Sequence, residues 1–161
     1  MITAAHFEKA FDFRFEGRIP RLAFLLGAGA AHGLTTVHLP LPAPIGGAVA
    51  VSTFFIGKFL LATLAAKRLH DLGASGWWTM PLVLPPAVLG GGISLFAIVA
   101  PQLFMDLASQ INWTALGGVG LVFGALIFLL GLIPGQPADN QYGPDPNGLV
   151  GRFQPGLRPP Y

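Results

Sequence analysis

Cysteine is absent from the sequence, which excludes disulfides, thiolate metal sites and cysteine nucleophiles but leaves the compartment open. Charge is scarce as well. Only 10% of the 161 residues are charged, against roughly 25% in a soluble globular chain. With 53% hydrophobic residues, a soluble fold would lack the charge to cover its surface. The net charge of +2 is too small to argue for a nucleic-acid partner. There is no Gly-rich phosphate loop ending in Gly-Lys-Ser/Thr, no His-Glu-x-x-His and no nucleophile elbow. No cofactor is expected. A cleaved signal peptide is not expected either. Glu8, Asp12 and Glu16 crowd the beginning, and the apolar core from Leu22 to Leu26 is shorter than an h-region of about 7–15 residues.

What the chain has is apolar length. Its 22 glycines and 15 prolines approach the level of disordered chains. They are, however, interspersed with Leu, Phe, Val and Ala, and both types are frequent in membrane helices. A crossing helix needs about 20 mostly apolar residues. Four stretches qualify, at about 22–38, 45–66, 77–100 and 113–133. The first is rich in Gly and Ala and contains His32; the third carries Pro81, Pro85, Pro86 and the Gly90-Gly91-Gly92 run. The expected fold class is therefore all-α, a compact bundle of four transmembrane helices. Phe7, Phe11 and Phe15 form a four-residue stripe suited to an interfacial N-terminal segment. Past Pro134 the composition turns to Pro, Gly, Asn and Asp, an irregular tail of turns. The membrane domain is expected over 1–148, with 149–161 disordered.

The connectors differ in charge. Lys9, Arg14, Arg18 and Arg21 precede the first stretch, Lys67 and Arg68 separate the second from the third, and Arg152 and Arg158 follow the fourth. The remaining two connectors hold no Lys or Arg. By the positive-inside rule both termini face the cytoplasm. Trp77 and Trp78 then fall at the cytoplasmic interface and Trp113 at the opposite one, as interfacial anchors.

Several constellations could carry chemistry. Arg18 and Arg21, three apart, suit phosphate recognition, although a topogenic pair at headgroups explains them more simply. Lys67 and Arg68 precede Asp71 by four and three residues, within reach of an ion pair on a helix. His70 beside them is a candidate general base with Asp71 as its orienter. The plainer reading is a tight surface turn, stopped by Gly73, capped by Ser75 and anchored by tryptophan. Lys58 is the one charge well inside a stretch, and a mid-bilayer lysine is a functional suspect by default, though its stem can snorkel. His32 is its natural intramembrane neighbour to suspect. The third stretch reads as a broken helix of the transporter kind or as a kinked packing helix. Gly29-x-x-x-Gly33 and Gly120-x-x-x-Gly124 allow close helix approach, within one bundle or in a homo-oligomer. The oxygen-rich run at 139–148 fails the calcium-loop spacing, so no metal is expected.

Three blocks taken together resemble the DUF805 family of small bacterial inner-membrane proteins. They are Phe-x-Gly-Arg-x-x-Arg at Phe15 to Arg21, Lys-Arg-Leu-His-Asp with Ser-Gly-Trp-Trp at Lys67 to Trp78, and Asp-Asn-Gln-Tyr-Gly-Pro-Asp-Pro at Asp139 to Pro146. Lys67 stands where that family usually has arginine, and Gln141 where it often does. The resemblance implies an integral inner-membrane protein and no activity.

On the inferred topology all three blocks are cytoplasmic, so Arg18, Arg21, Lys67, Arg68, His70, Asp71, Asn140, Tyr142 and Asp145 are expected to converge on one face. The leading expectation is a non-catalytic protein whose basic cluster binds anionic lipid headgroups or a membrane protein partner. The alternatives are an enzyme acting on a lipid-linked phosphate through His70, Asp71 and the arginines, and a small transporter or channel subunit built around Lys58.

Overall fold

The computed structural model describes residues 15–36 and 40–147. Five α-helices and no strands occur among them. The expected interfacial stripe and the expected disordered end lie outside the described residues, apart from Phe15 and Glu16.

Helix α1 (Arg21–Leu34) follows Pro20, whose extended backbone starts the helix without a side-chain cap. It stops at Thr35 and Thr36, whose hydroxyls donate to the His32 and Gly33 carbonyls at 2.7 and 2.8 Å. Those carbonyls would otherwise lack partners at the helix end. Helix α2 (Ala43–Asp71) is the longest, at 29 residues. Inside it Ser52, Thr53 and Thr63 fold their hydroxyls onto carbonyls one turn back, so these hydroxyls do not face apolar neighbours bare. It ends at Gly73, which adopts φ +78°. There the Gly73 and Ala74 amides reach back to the carbonyls of His70 and Leu69 at 3.0 and 2.8 Å, a left-handed closure that only glycine takes without strain.

Ser75 accepts from the Trp77 amide and opens the short 3-10 turn Gly76–Trp78, which leads into α3 (Thr79–Val99). A second short helix, α4 (Pro101–Ala108), precedes α5 (Trp113–Leu132), whose first turn is capped by Asn112 accepting from the Ala115 amide at 2.9 Å. Helix α2 lies at the centre, in contact with α1, α3 and α5, while α5 also closes against α1 and α3. The apolar core joins Phe24 and Ala31 of α1, Leu61, Leu64 and Ala65 of α2, Val83 of α3 and Ile127 of α5. Among the described residues of α2 the buried apolar side chains, Leu61 to Leu69, come after Lys58, so the tight side-chain packing lies toward the charged end.

Three segments are long and apolar enough to cross a membrane: Ile45–Asp71, Gly76–Val99 and Trp113–Leu132. Their outer faces carry large exposed side chains, with Val99 74% and Leu121 73% accessible, as lipid-facing surfaces do. The first of the four expected stretches is shorter than read. Helix α1 has 14 residues, about 21 Å at 1.5 Å per residue, against a hydrocarbon core of about 30 Å.

The structure bears on three further readings. The Lys67–Asp71 block is the last turn of α2, not a surface turn beyond it, because burial against counter-charges lets the helix run on. The connector at 101–112 contains a helix. And α3 is not broken at its prolines or glycines: Gly90 and Gly91 lie against the rings of Phe54 and Phe55, where an added Cβ would come within 2.7 and 2.5 Å of ring carbon.

Candidate functional site

At one end of the bundle the three polar blocks meet around a single carboxylate. Asp71 ends α2 and is 1% exposed. Its Oδ1 accepts from Arg18 Nε at 3.1 Å and Nη2 at 2.9 Å, while its Oδ2 accepts from Arg68 Nη1, one turn back on the same helix. Arg68 is fully buried. Its Nε donates to the Leu130 carbonyl at 2.9 Å, its Nη2 to the Ile133 carbonyl and its Nη1 also to that of Ile19 at 3.4 Å. Leu130 and Ile133 stand at the carboxyl end of α5, where carbonyls lack helical partners and the helix dipole is negative. A guanidinium there caps α5.

Arg18 ties in the tail. Its Nη2 donates to the Gln136 carbonyl at 2.5 Å, and its Nη1 to Ala138 at 2.6 Å and Gly143 at 3.3 Å. The tail returns the favour to α2, because the Gln136 amide donates to the Asp71 carbonyl at 2.8 Å and Asn140 Nδ2 to the His70 carbonyl at 2.9 Å. Two cations against one carboxylate leave an excess positive charge, and these carbonyl dipoles offset it. Gly135 is pressed so close to the Asp71 carboxylate that no Cβ fits there.

The His70 ring stands beside this network and does not touch the Asp71 carboxylate. Its Nδ1–H donates to the Gly17 carbonyl at 3.2 Å, its ring stacks on Tyr142 at 4.0 Å and 5°, and its Nε2 faces Gly76. Both oxygens of Asp71 are held by arginine, so Asp71 does not orient His70, and the acid–base pair expected from their adjacency is not assembled. Asp145 is buried; its Oδ1 caps the Asn147 amide, and its own amide donates to Asp139 Oδ1.

Of the expected site residues, Arg18, Arg68, His70, Asp71, Asn140 and Tyr142 are thus in one connected cluster. Lys67 is buried and engaged. Arg21 is exposed at the first turn of α1, near enough to Arg68 to repel it. Trp77 and Trp78, 76% and 63% exposed, lie at the same end, and Trp113 at the other, its Nε1 donating to the Ala108 carbonyl at 3.0 Å. Lys58 is far from the cluster, half-buried, with its ammonium 5.3 Å from the Phe54 ring centre.

Sequence reasoning missed the backbone partners at 130–138 and the side chain of Gln136. The signal was the turn-rich Pro134-Gly135-Gln136-Pro137 run, which reads as a loop but not as a lid over Asp71. No group of three His, Asp or Glu able to hold a metal occurs among the described residues. All three nitrogens of each guanidinium are directed at protein oxygens, so the arrangement is a clamp on backbone and carboxylate, not an open anion site.

The family model described as "Protein of unknown function (DUF805)" matches residues 12–144, which takes in the first two blocks, the third as far as Pro144, and every residue of the connected cluster. No curated protein and no solved structure matches the chain.

Proposed function

Because the chain belongs to the DUF805 family, whose description carries no activity, we propose a function from the geometry: a non-catalytic membrane protein of the bacterial inner membrane whose buried charges staple the bundle shut. Anionic lipid headgroups are met by Arg21, with Trp77 and Trp78 anchoring the same end. The observation that carries this is the direction of every guanidinium nitrogen of Arg18 and Arg68 toward protein oxygens. The charge count agrees. At this end Arg18, Arg21, Lys67 and Arg68 are matched in number by Glu16, Asp71, Asp139 and Asp145, so the described face is balanced, not basic.

The same geometry supports four crossings with both termini cytoplasmic. Arg18 touches Asp71 at one end of α2, and the other end of this 29-residue helix is about 43 Å away. The chain between Arg18 and Ala43 covers that length, with α1 lying along α2 for part of it. It therefore traverses the layer that the three long helices span, and a 14-residue helix does so when neighbouring helices and local thinning accommodate it. Eight of the nine basic residues then share one side.

The test is native mass spectrometry of the protein released in mild detergent, paired with thermal unfolding, for wild type, Arg21→Ala and Arg68→Ala. Arg21→Ala is expected to lose retained anionic lipid at an unchanged unfolding temperature, and Arg68→Ala to lower that temperature. A phosphate-bearing molecule lost from Arg68→Ala at unchanged stability would overturn the staple.

A further inference from the structure

Away from the charged end, α1, α2, α3 and α5 line a partly open cavity of about 690 Å³. Its walls are apolar, from Phe24 and Leu25 through Val83 to Phe123 and Phe128, and its only polar lining residues are His32 and Lys58. Lys58 is the middle residue of the Ile45–Asp71 segment, about 20 Å of helix from either end. A charge at that depth is costly and ordinarily has a partner. Among the described residues no carboxylate pairs with it; the Phe54 ring is its cationic contact.

The sequence also contains no acid that another copy could bring to this depth. Of seven acidic residues, Glu8, Asp12 and Glu16 precede α1, Asp71 is clamped, Asp106 is in α4, and Asp139 and Asp145 are in the tail. A homo-oligomer therefore cannot neutralise Lys58 through its membrane helices. A bound molecule that carries negative charge and also fits greasy walls would supply the missing partner.

We propose that this cavity binds a single-chain anionic amphiphile, a long-chain carboxylate, with its headgroup on Lys58 and His32 and its acyl chain along α5. The volume is in the range of ~300–1,000 Å³ typical of ligand pockets. The ammonium and the imidazole supply two donors, which match the two oxygens of a carboxylate. Lys58 also borders a second apolar cavity of about 510 Å³ between α2 and α3, but that one has no second basic group to hold a headgroup. The site stands apart from the proposed staple, so either can fail alone.

The experiment is equilibrium binding of radiolabelled oleate to the full-length protein in nanodiscs of neutral phosphatidylcholine, with empty discs subtracted. Wild type is expected to show one saturable site per chain. In Lys58→Met, checked for folding by thermal unfolding, binding weakens by about ten- to a hundredfold, as for loss of a hydrogen bond to a charged group. Lys58→Arg retains it. Oleyl alcohol, which has the chain without the charge, does not compete. The proposal is overturned by the absence of a saturable site, by undiminished binding in Lys58→Met, by equal competition from oleyl alcohol, or by equal competition from phosphatidylglycerol, which would mark a two-chain lipid instead.

Discussion

Arg18 and Asp71 lie 53 positions apart in sequence, yet one carboxylate oxygen of Asp71 accepts two hydrogen bonds from the Arg18 side chain, at 3.1 and 2.9 Å. The contact joins the segment that precedes α1 to the carboxyl end of α2. Arg18 then reaches onward to residues 136, 138 and 143, so one side chain holds three separate parts of the chain.

Asp71→Asn is expected to lower stability by about 3–5 kcal/mol, because it strands two buried guanidinium groups without a counter-charge. Arg18→Met alone also destabilises, but the two changes combined cost less than their sum. A double-mutant cycle by thermal unfolding in detergent measures the difference, and strict additivity would show that the pair does not act as a unit.

Gly57 and Gly29 are expected to respond oppositely to alanine. At Gly57 an added Cβ would come within 2.6 Å of the Ala31 carbonyl, where α1 and α2 touch backbone to backbone. Gly57→Ala forces those helices apart, at about 1–3 kcal/mol. Gly29 has open space, so Gly29→Ala is neutral or gains up to about 1 kcal/mol from reduced chain entropy. If Gly29→Ala instead proves damaging, its face is covered by a second chain, which the change in mass by native mass spectrometry would reveal.

Tyr142→Ala is expected to free the tail from His70, while Tyr142→Phe keeps the stack. The aromatic pair contributes about 0.5–1.5 kcal/mol beyond its buried area. Limited proteolysis after Pro134 reads this directly: faster cleavage in the alanine variant, wild-type rates in phenylalanine. Equal rates in all three would mean that Asn140 and Arg18 hold the tail without Tyr142.

Single cysteines in a chain that naturally has none report sidedness without background. Glu16→Cys and Gln141→Cys, both exposed at the charged end, are expected to label only after permeabilisation. Ser109→Cys, exposed past α4, is expected to label on intact cells with an impermeant maleimide. Three crossings instead of four would place positions 16 and 141 on opposite sides.

The long helices were legible because uninterrupted apolar runs of about 20 residues have few other homes. Gly73 as a helix stop was legible from its place after a charged turn, and the Arg68–Asp71 pair from its spacing. Burial of that pair was not. Local spacing shows what lies three or four residues away, whereas the carbonyls that satisfy Arg68 are 62 and 65 positions distant. Charges between greasy runs therefore read as surface, and Arg18 read as a headgroup contact when it is an internal tie. Helix α4 escaped notice because eight residues show barely two helical turns of pattern, and Pro101, which opens it, is a first-turn helix residue. The glycine run of α3 looked like a weak point because its occupants, the rings of Phe54 and Phe55, come from another helix.

The cluster at Asp71 also sets an order in time. Arg18, Arg68 and Asp71 leave the ribosome early, but Leu130, Ile133, Gln136, Ala138 and Gly143 are made near the end. Until those arrive, Arg18 Nη1 and Arg68 Nε and Nη2 lack the carbonyls that later satisfy them, and the packing around Asp71 stays unfinished. A chain cut short just after α5 would keep every long helix and leave Arg18 without the tail carbonyls of Gln136, Ala138 and Gly143.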